Sequence, residues 1–123
     1  MLADHPVHSP ACLKLFQAIE RGEVAVWTSH LVIAEVVFVV SNKGTYNVSR
    51  QRIRDLLLPL ISLPGLKIAN KRMFRQVFDL YVTQPMSFID AYHAGLVGVR
   101  KPPEVYSYDT DFDRIGGLTR LEP

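Results

Sequence analysis

Three acidic residues, far apart along the chain, are the side chains with the clearest chemical potential. Glu35 is the only charge in an apolar run, Asp90 lies near the start of a predicted helix, and Asp109 directly follows a predicted strand. Burying an ionised carboxylate without a partner is costly. Because a divalent cation turns the repulsion between neighbouring carboxylates into attraction, acids that converge in a fold indicate a metal site.

Simpler interpretations of Glu35 and Asp90 remain open beside the chemical one. Glu35 has no Lys or Arg one helical turn away, so it either reaches solvent from a helix edge or has its charge offset by a metal ion or another cation. Ser87 and Asp90 have the spacing of a capping box at a helix start. Capping and metal binding can coexist, because a carboxylate in the first helical turn keeps free lone pairs.

The alternating acids Asp109, Asp111 and Asp113 resemble the start of a calcium-binding EF-hand loop. That loop requires glycine at its sixth position and a bidentate acid at its twelfth, and these positions hold Arg114 and Arg120. An EF-hand is therefore excluded. Asp111 and Asp113 are also typical of turn and cap residues.

Other catalytic chemistries find little support in the residue types. The four histidines lack the spacing of a zinc site, and no P-loop, GxGxxG motif or placeable Ser–His–Asp set occurs. His93 follows Asp90 by three residues and would share its helix face. We interpret His93 as a surface or packed residue in preference to a proton donor.

The bulk composition predicts one compact domain over residues 1–123, since 48 % of the 123 residues are hydrophobic. The single cysteine, Cys12, and an N-terminus unlike a secretory signal predict a cytoplasmic protein. The apolar run 31–40 is about half the length of a membrane helix. The net charge is only +2. Basic residues form two local groups, which are interpreted as solvated helix faces, with phosphate contact as the alternative. The groups are Arg50, Arg52 and Arg54, and then Lys67, Lys71, Arg72 and Arg75.

Caps, breakers and hydrophobic periodicity predict alternating helices and strands. Helices are predicted from Ser9-Pro10 to Gly22, over 31–40, from Ser49 to Leu63, from Asn70 to Gln84 and over 87–99; strands over 24–27, 66–68, 105–108 and 118–121. This alternation favours an α/β fold with a parallel sheet covered by helices. Sites in such sheets form at the carboxyl ends of the strands, which is the predicted position of Asp109.

Three ordered segments resemble the signatures of PIN domains. They are Ser29-His30-Leu31-Val32-Ile33-Ala34-Glu35, Ser87-Phe88-Ile89-Asp90-Ala91 and Ser107-Tyr108-Asp109-Thr110-Asp111-Phe112-Asp113. Each segment alone is a weak signal, but their order and spacing over essentially the whole chain resemble the VapC-type ribonuclease toxins of this family. The resemblance implies a three-layer α/β/α sandwich with a parallel sheet.

The resemblance also implies a function and a site. Active family members are ribonucleases that depend on Mg²⁺ or Mn²⁺, and VapC-type toxins pair with a small antitoxin and commonly form homodimers. By this analogy Glu35, Asp90 and Asp109 match catalytic acids that bind the metal. Asp111 matches an assisting acid, and Ser107 matches a hydroxyl position beside the substrate.

The given sequence departs from the family pattern at its beginning. The family opens with a central strand ending in Asp-Thr-Asn or similar, and no segment here matches it; Asp4 matches a later loop, as a turn or cap residue. Without that strand we expect a slot between two strands, unpaired backbone groups and weak or absent activity. The alternative function is a catalytically dead PIN remnant that serves as a binding or dimerisation module. An in-frame strand with this motif encoded upstream of Met1 would favour the enzyme, and a stop codon there the remnant.

Overall fold

The computed structural model describes residues 9–100 and 102–123. Within these ranges the helices are α1 (Ser9–Glu20), α2 (His30–Ser41), α3 (Arg50–Ile61), α4 (Met73–Thr83) and α5 (Phe88–Gly98). The strands are β1 (Val26–Trp27), β2 (Leu66–Lys67), β3 (Glu104–Tyr106) and β4 (Thr119–Leu121), and a 3₁₀ helix covers Thr110–Arg114. The predicted α/β class is confirmed. Asp4 lies outside the described residues.

The strands form two separate parallel pairs in the part of the chain that the structure describes. Strand β1 pairs with β2, with Trp27 beside Lys67, and β3 pairs with β4, with Tyr106 beside Leu121. Each strand is shorter than its sequence segment predicted. Tyr108 falls outside β3 because the chain there leads into the turn at Asp109.

Serine caps set the starts of three helices, as their spacing predicted. The hydroxyls of Ser29, Ser49 and Ser87 each accept a hydrogen bond from the backbone N–H three residues later. The predicted helix start at Asn70 was wrong. Its backbone has a φ of 49°, a left-handed turn that asparagine tolerates, and α4 begins three residues later without a side-chain cap.

The hydrophobic core is centred on α4 and α5. The buried side chains of α4 are those of Met73, Phe74, Val77, Phe78 and Tyr81. A Cβ atom at Gly95 of α5 would collide with the side chain of Val77, so the two helices approach closely where glycine leaves room. This packing fixes the orientation of α5, whose first turn carries Asp90.

Helix α3 is less buried than its apolar residues suggested. Ile53 and Ile61 are buried, but Leu56 on the same helix is 53 % exposed. Positions 53, 57 and 61 lie in one row along the helix and face the core, whereas Leu56 lies at the edge of that row. No helix among the described residues is long and apolar enough to cross a membrane.

Candidate acidic groove

A groove between α5 and β3 brings together three of the residues that the sequence singled out. Its volume is about 310 Å³, and Asp90, Ser107 and Asp109 are among the residues that line it. Asp90 reaches it from the first turn of α5, and the other two from the chain that follows β3. Residues separated by about twenty positions along the chain therefore line one surface depression.

The capping serine of α5 sets the position of Asp90. The Asp90 N–H donates to Ser87 Oγ at 3.1 Å, which fixes the backbone at the helix start. Within the described residues, the Asp90 carboxylate has no hydrogen-bond or ion-pair partner. The backbone cap is confirmed, and it leaves both carboxylate oxygens available for a ligand.

Two short-range hydrogen bonds fix Ser107 and Asp109 in the turn after β3. The Asp109 N–H donates to Ser107 Oγ at 3.0 Å, and Asp109 Oδ1 accepts from the Asp111 N–H at 2.9 Å. Asp109 thereby caps the 3₁₀ helix. The cap engages one carboxylate oxygen of Asp109, Oδ1, and the other oxygen, Oδ2, stays available to a ligand.

Arg120 supports this turn from β4. Its guanidinium donates to the carbonyl oxygen of Ser107 at 3.1 Å and pairs with Asp113 at 2.7 Å and Glu122 at 2.9 Å. Its hydrogen bonds to these two carboxylates raise the pKa of Arg120, so the side chain stays cationic. Arg120 therefore holds the end of β3, and this role could not be foreseen from the sequence.

Asp111 and Asp113 lie beside the groove instead of lining it. Asp111 Oδ1 is 3.5 Å from the Arg114 guanidinium, and Asp113 pairs with Arg120. Both acids also lie in the first turn of the 3₁₀ helix, as their interpretation as turn residues predicted. The metal-binding role of Asp111 stays a prediction.

The structure does not bring Glu35 into the groove. Glu35 is exposed and lines a different cavity of about 480 Å³, which it shares with Arg50, Phe38 and Ser87. The two sites adjoin the same helix start, since Ser87 lines one and Asp90 the other. Because Glu35 reaches solvent, its charge needs no compensating cation, and its catalytic role stays a prediction.

No three His, Cys, Asp or Glu residues in the described ranges are close enough together to hold a metal ion. The residues with oxygen-bearing side chains that line the same groove are Asp90, Asp109 and Ser107. Such hard donors suit Mg²⁺ or Mn²⁺. Mg²⁺ typically keeps several waters and takes one or two carboxylates together with substrate phosphates, so two acids fit this ion.

His30 has a positioning role that sequence reasoning missed. Its Nδ1 is 2.7 Å from the Tyr92 hydroxyl of α5, and its Nε2 contacts the carbonyl oxygen of Ala69 in the loop after β2. The neutral tautomer with hydrogen on Nε2 satisfies both groups, because the tyrosine then donates to Nδ1. Its partners are 39 and 62 residues away, so no local pattern could reveal them.

Comparison with known protein families assigns the chain to one of them. The PIN domain model matches residues 2–118. The chain belongs to the PIN-domain family. It therefore has a nuclease-type fold, of a kind that generally works with divalent metal ions. No curated protein and no solved structure matches the chain. For this PIN domain, the groove at Asp90 and Asp109 is the candidate active site.

Proposed function

We propose that this PIN domain is a metal-dependent endoribonuclease that hydrolyses RNA phosphodiester bonds at the acidic groove. The observation that carries the proposal is the meeting of Asp90 and Asp109 in one groove beside the hydroxyl of Ser107. The family supports the same activity, because its fold is of the nuclease type. We further propose Mg²⁺ or Mn²⁺ as the ion.

The side chains of the groove have distinct tasks in this proposal. Asp90 and Asp109 would hold the cation. Ser107 Oγ accepts from the Asp109 N–H, which leaves its own proton free to be donated to a phosphate oxygen. A bound divalent ion would supply an activated water and stabilise the charge that develops on the phosphodiester.

Glu35 and Asp111 complete the proposed set as more distant contributors. Asp111 already pairs with Arg114, so binding a metal requires it to exchange that partner. Glu35 lies across the first turn of α5 from Asp90, and its carboxylate has no described partner to hold it there. In this proposal Glu35 would be the third acid of the metal site.

We propose a toxin role with two kinds of protein partner, a small antitoxin and a second copy of the chain. Exposed apolar side chains on α2 support such contacts, since Leu31 is 80 % and Phe38 is 69 % exposed. Phe38 also lines the cavity that contains Glu35. A toxin of this type is expected to slow growth when it is expressed without its antitoxin.

The decisive experiment measures RNA cleavage with Mg²⁺ or Mn²⁺ in the wild type and in Asp90→Asn. The amide keeps the size of the side chain and leaves the backbone cap to Ser87 intact, but removes the negative charge. We expect cleavage to fall below detection without a change in the circular dichroism spectrum. The matched control is Asp55→Asn, an exposed acid paired with Arg54 outside the groove. Undiminished cleavage by Asp90→Asn contradicts the proposal.

The second candidate is a PIN remnant without activity that acts as a binding or dimerisation module. The absence of a three-residue metal cluster in the described ranges favours it. The separation of the described strands into two pairs also favours it, because it leaves strand edges open to another segment. A wild-type chain that folds, does not cleave RNA with either ion and binds neither ion by calorimetry would establish this alternative.

A further inference from the structure

The carboxyl ends of β1 and β2 carry an exposed tryptophan beside positively charged side chains. Trp27 is 82 % exposed, and Lys67 is its register partner on the neighbouring strand. Register partners in a parallel pair project to the same side of the sheet. An aromatic ring and an ammonium group therefore stand side by side on one surface.

Three further cations extend this surface along the start of α4. Lys71 lines a groove of about 430 Å³ together with Trp27 and Lys67. It also lines a second groove, of about 530 Å³, together with Arg72 and Arg75. The two grooves meet at Lys71. We call the surface formed by Trp27, Lys67, Lys71, Arg72 and Arg75 the cationic face.

The charges of the cationic face are not neutralised by the described residues. None of its four basic side chains forms an ion pair with a described carboxylate, although Arg21, Arg54, Arg114 and Arg120 all do. Lys71 is held in place by hydrogen bonds to the carbonyl oxygens of Leu63 and Leu66 at 2.6 and 2.9 Å. Partial burial, and after it repulsion from the charge of Lys67, lower the pKa of Lys71. An anion bound between these two side chains would relieve that repulsion.

We infer that the cationic face binds single-stranded RNA, with one base stacked on Trp27 and successive phosphates placed along Lys67, Lys71, Arg72 and Arg75. Single strands are bound in this way when an aromatic ring offers a stacking surface inside a track of positive charge. A duplex cannot offer an unstacked base to Trp27 without opening. This inference rests on the proposed ribonuclease function, for which it supplies a substrate-binding surface outside the acidic groove.

A direct connection links the cationic face to the acidic groove. His30 joins Ala69, which lines the groove beside Trp27, to Tyr92 of α5, the helix that carries Asp90. RNA held on the cationic face is thus held relative to α5. The connection couples the loop that borders the cationic face to the helix that carries Asp90.

The test uses Trp27 itself as the reporter, because it is the only tryptophan in the chain. An oligoadenylate RNA is titrated into the full chain in EDTA, so that binding is measured without cleavage. We expect saturable quenching of tryptophan fluorescence that weakens with salt. A polyphosphate without bases is expected to bind with little quenching. Equal quenching by polyphosphate, or no quenching by RNA, would overturn the inference.

Variants separate stacking from charge. Anisotropy of a labelled oligoadenylate is expected to show a Kd at least about fivefold weaker for Trp27→Ala, with recovery in Trp27→Tyr. Replacing both Arg72 and Arg75 with glutamine should weaken RNA binding. It should also lower the slope of the logarithm of the binding constant against the logarithm of the salt concentration by about 0.7 per lost phosphate contact. Lys43→Gln, an exposed lysine in the loop after α2, is the matched control with unchanged affinity. Equal losses in the control and the face variants contradict the assignment.

Two further outcomes keep the inference separate from the nuclease proposal. RNA binding that depends on Trp27 without any cleavage retains the cationic face and rejects the nuclease. Cleavage that is unchanged by substitution of Trp27, Arg72 and Arg75 retains the nuclease and rejects the cationic face as an RNA-binding surface.

Self-association of the chain is a third outcome. If the chain self-associates without RNA and Trp27→Ala abolishes this, the cationic face is a protein contact and the RNA assignment is overturned.

Discussion

The acidic groove and the cationic face are held in place by different kinds of contact. In the groove, hydrogen bonds between residues two or three positions apart set the backbone of Asp90 and Asp109. In the cationic face, His30 fixes the loop after β2 through partners 39 and 62 residues away. The backbone at the two acids of the groove is therefore set by local turns, whereas the loop that borders the cationic face is fixed by contacts across the fold.

The largest effect on stability is expected from His30→Ala, which tests the long-range connection. The change removes two hydrogen bonds and the edge-to-face contacts of the ring with Phe74 and Tyr92. We expect the free energy of unfolding to fall by about 2–4 kcal/mol, because two polar partners lose their bonds and a packed ring is removed. Urea unfolding followed by circular dichroism measures it.

His93→Ala is the matched control for that change. His93 lines the acidic groove and is exposed, and its described ring contact is a tilted one with Tyr92. Its removal should change the free energy of unfolding by less than about 1 kcal/mol. If both alanine variants lost the same stability, the contrast between the two regions would be wrong.

A smaller effect is expected at Asp109, where structural and chemical roles can be separated. Asp109→Ala removes the cap of the 3₁₀ helix and should cost about 1 kcal/mol of unfolding free energy. Asp109→Asn keeps a capping oxygen and should be nearly as stable as the wild type, yet lose RNA cleavage as completely as alanine. Cleavage retained by the asparagine variant would show that Asp109 acts through the turn alone. Thermal unfolding and a cleavage assay provide both readouts.

The smallest effect on stability is expected from Arg75→Gln on the cationic face. Arg75 is exposed and has no ion pair with a described residue. The free energy of unfolding should therefore change by no more than about 0.5 kcal/mol. A clearly larger loss in urea unfolding would show that Arg75 has a structural role that these contacts do not include.

Local signals predicted much of the fold and part of the site. The predicted starts of α2, α3 and α5 lie within one residue of the observed ones, and the segment at 105–108 correctly placed Asp109 after a strand. The apolar residues of α4 on one face are indeed buried. These features depend on neighbours within one or two turns, which a single sequence records directly.

Features that depend on distant contacts were not predictable. The roles of His30 and Arg120 come from partners on other elements, and the exposure of Glu35 depends on how α2 packs. The basic residues at 67–75 were interpreted as a solvated helix face, with phosphate contact as the alternative. Of these residues Arg75 lies in a helix, and the position of Lys67 beside Trp27 requires the pairing of β1 with β2. Asn70 was misread as the start of a helix, since its side-chain type suits a left-handed turn equally well.

The close approach of α4 and α5 at Gly95 has a mechanical consequence for both regions. Arg72 directly precedes α4 and Arg75 lies in its first turn, while Asp90 lies in the first turn of α5, so a wedge between the two helices would disturb both regions at once. A single hydrogen atom in place of a methyl group thus permits the close packing of the two helices from which the cationic face and Asp90 are placed. The absence of a side chain at position 95 therefore sets the distance between α4 and α5.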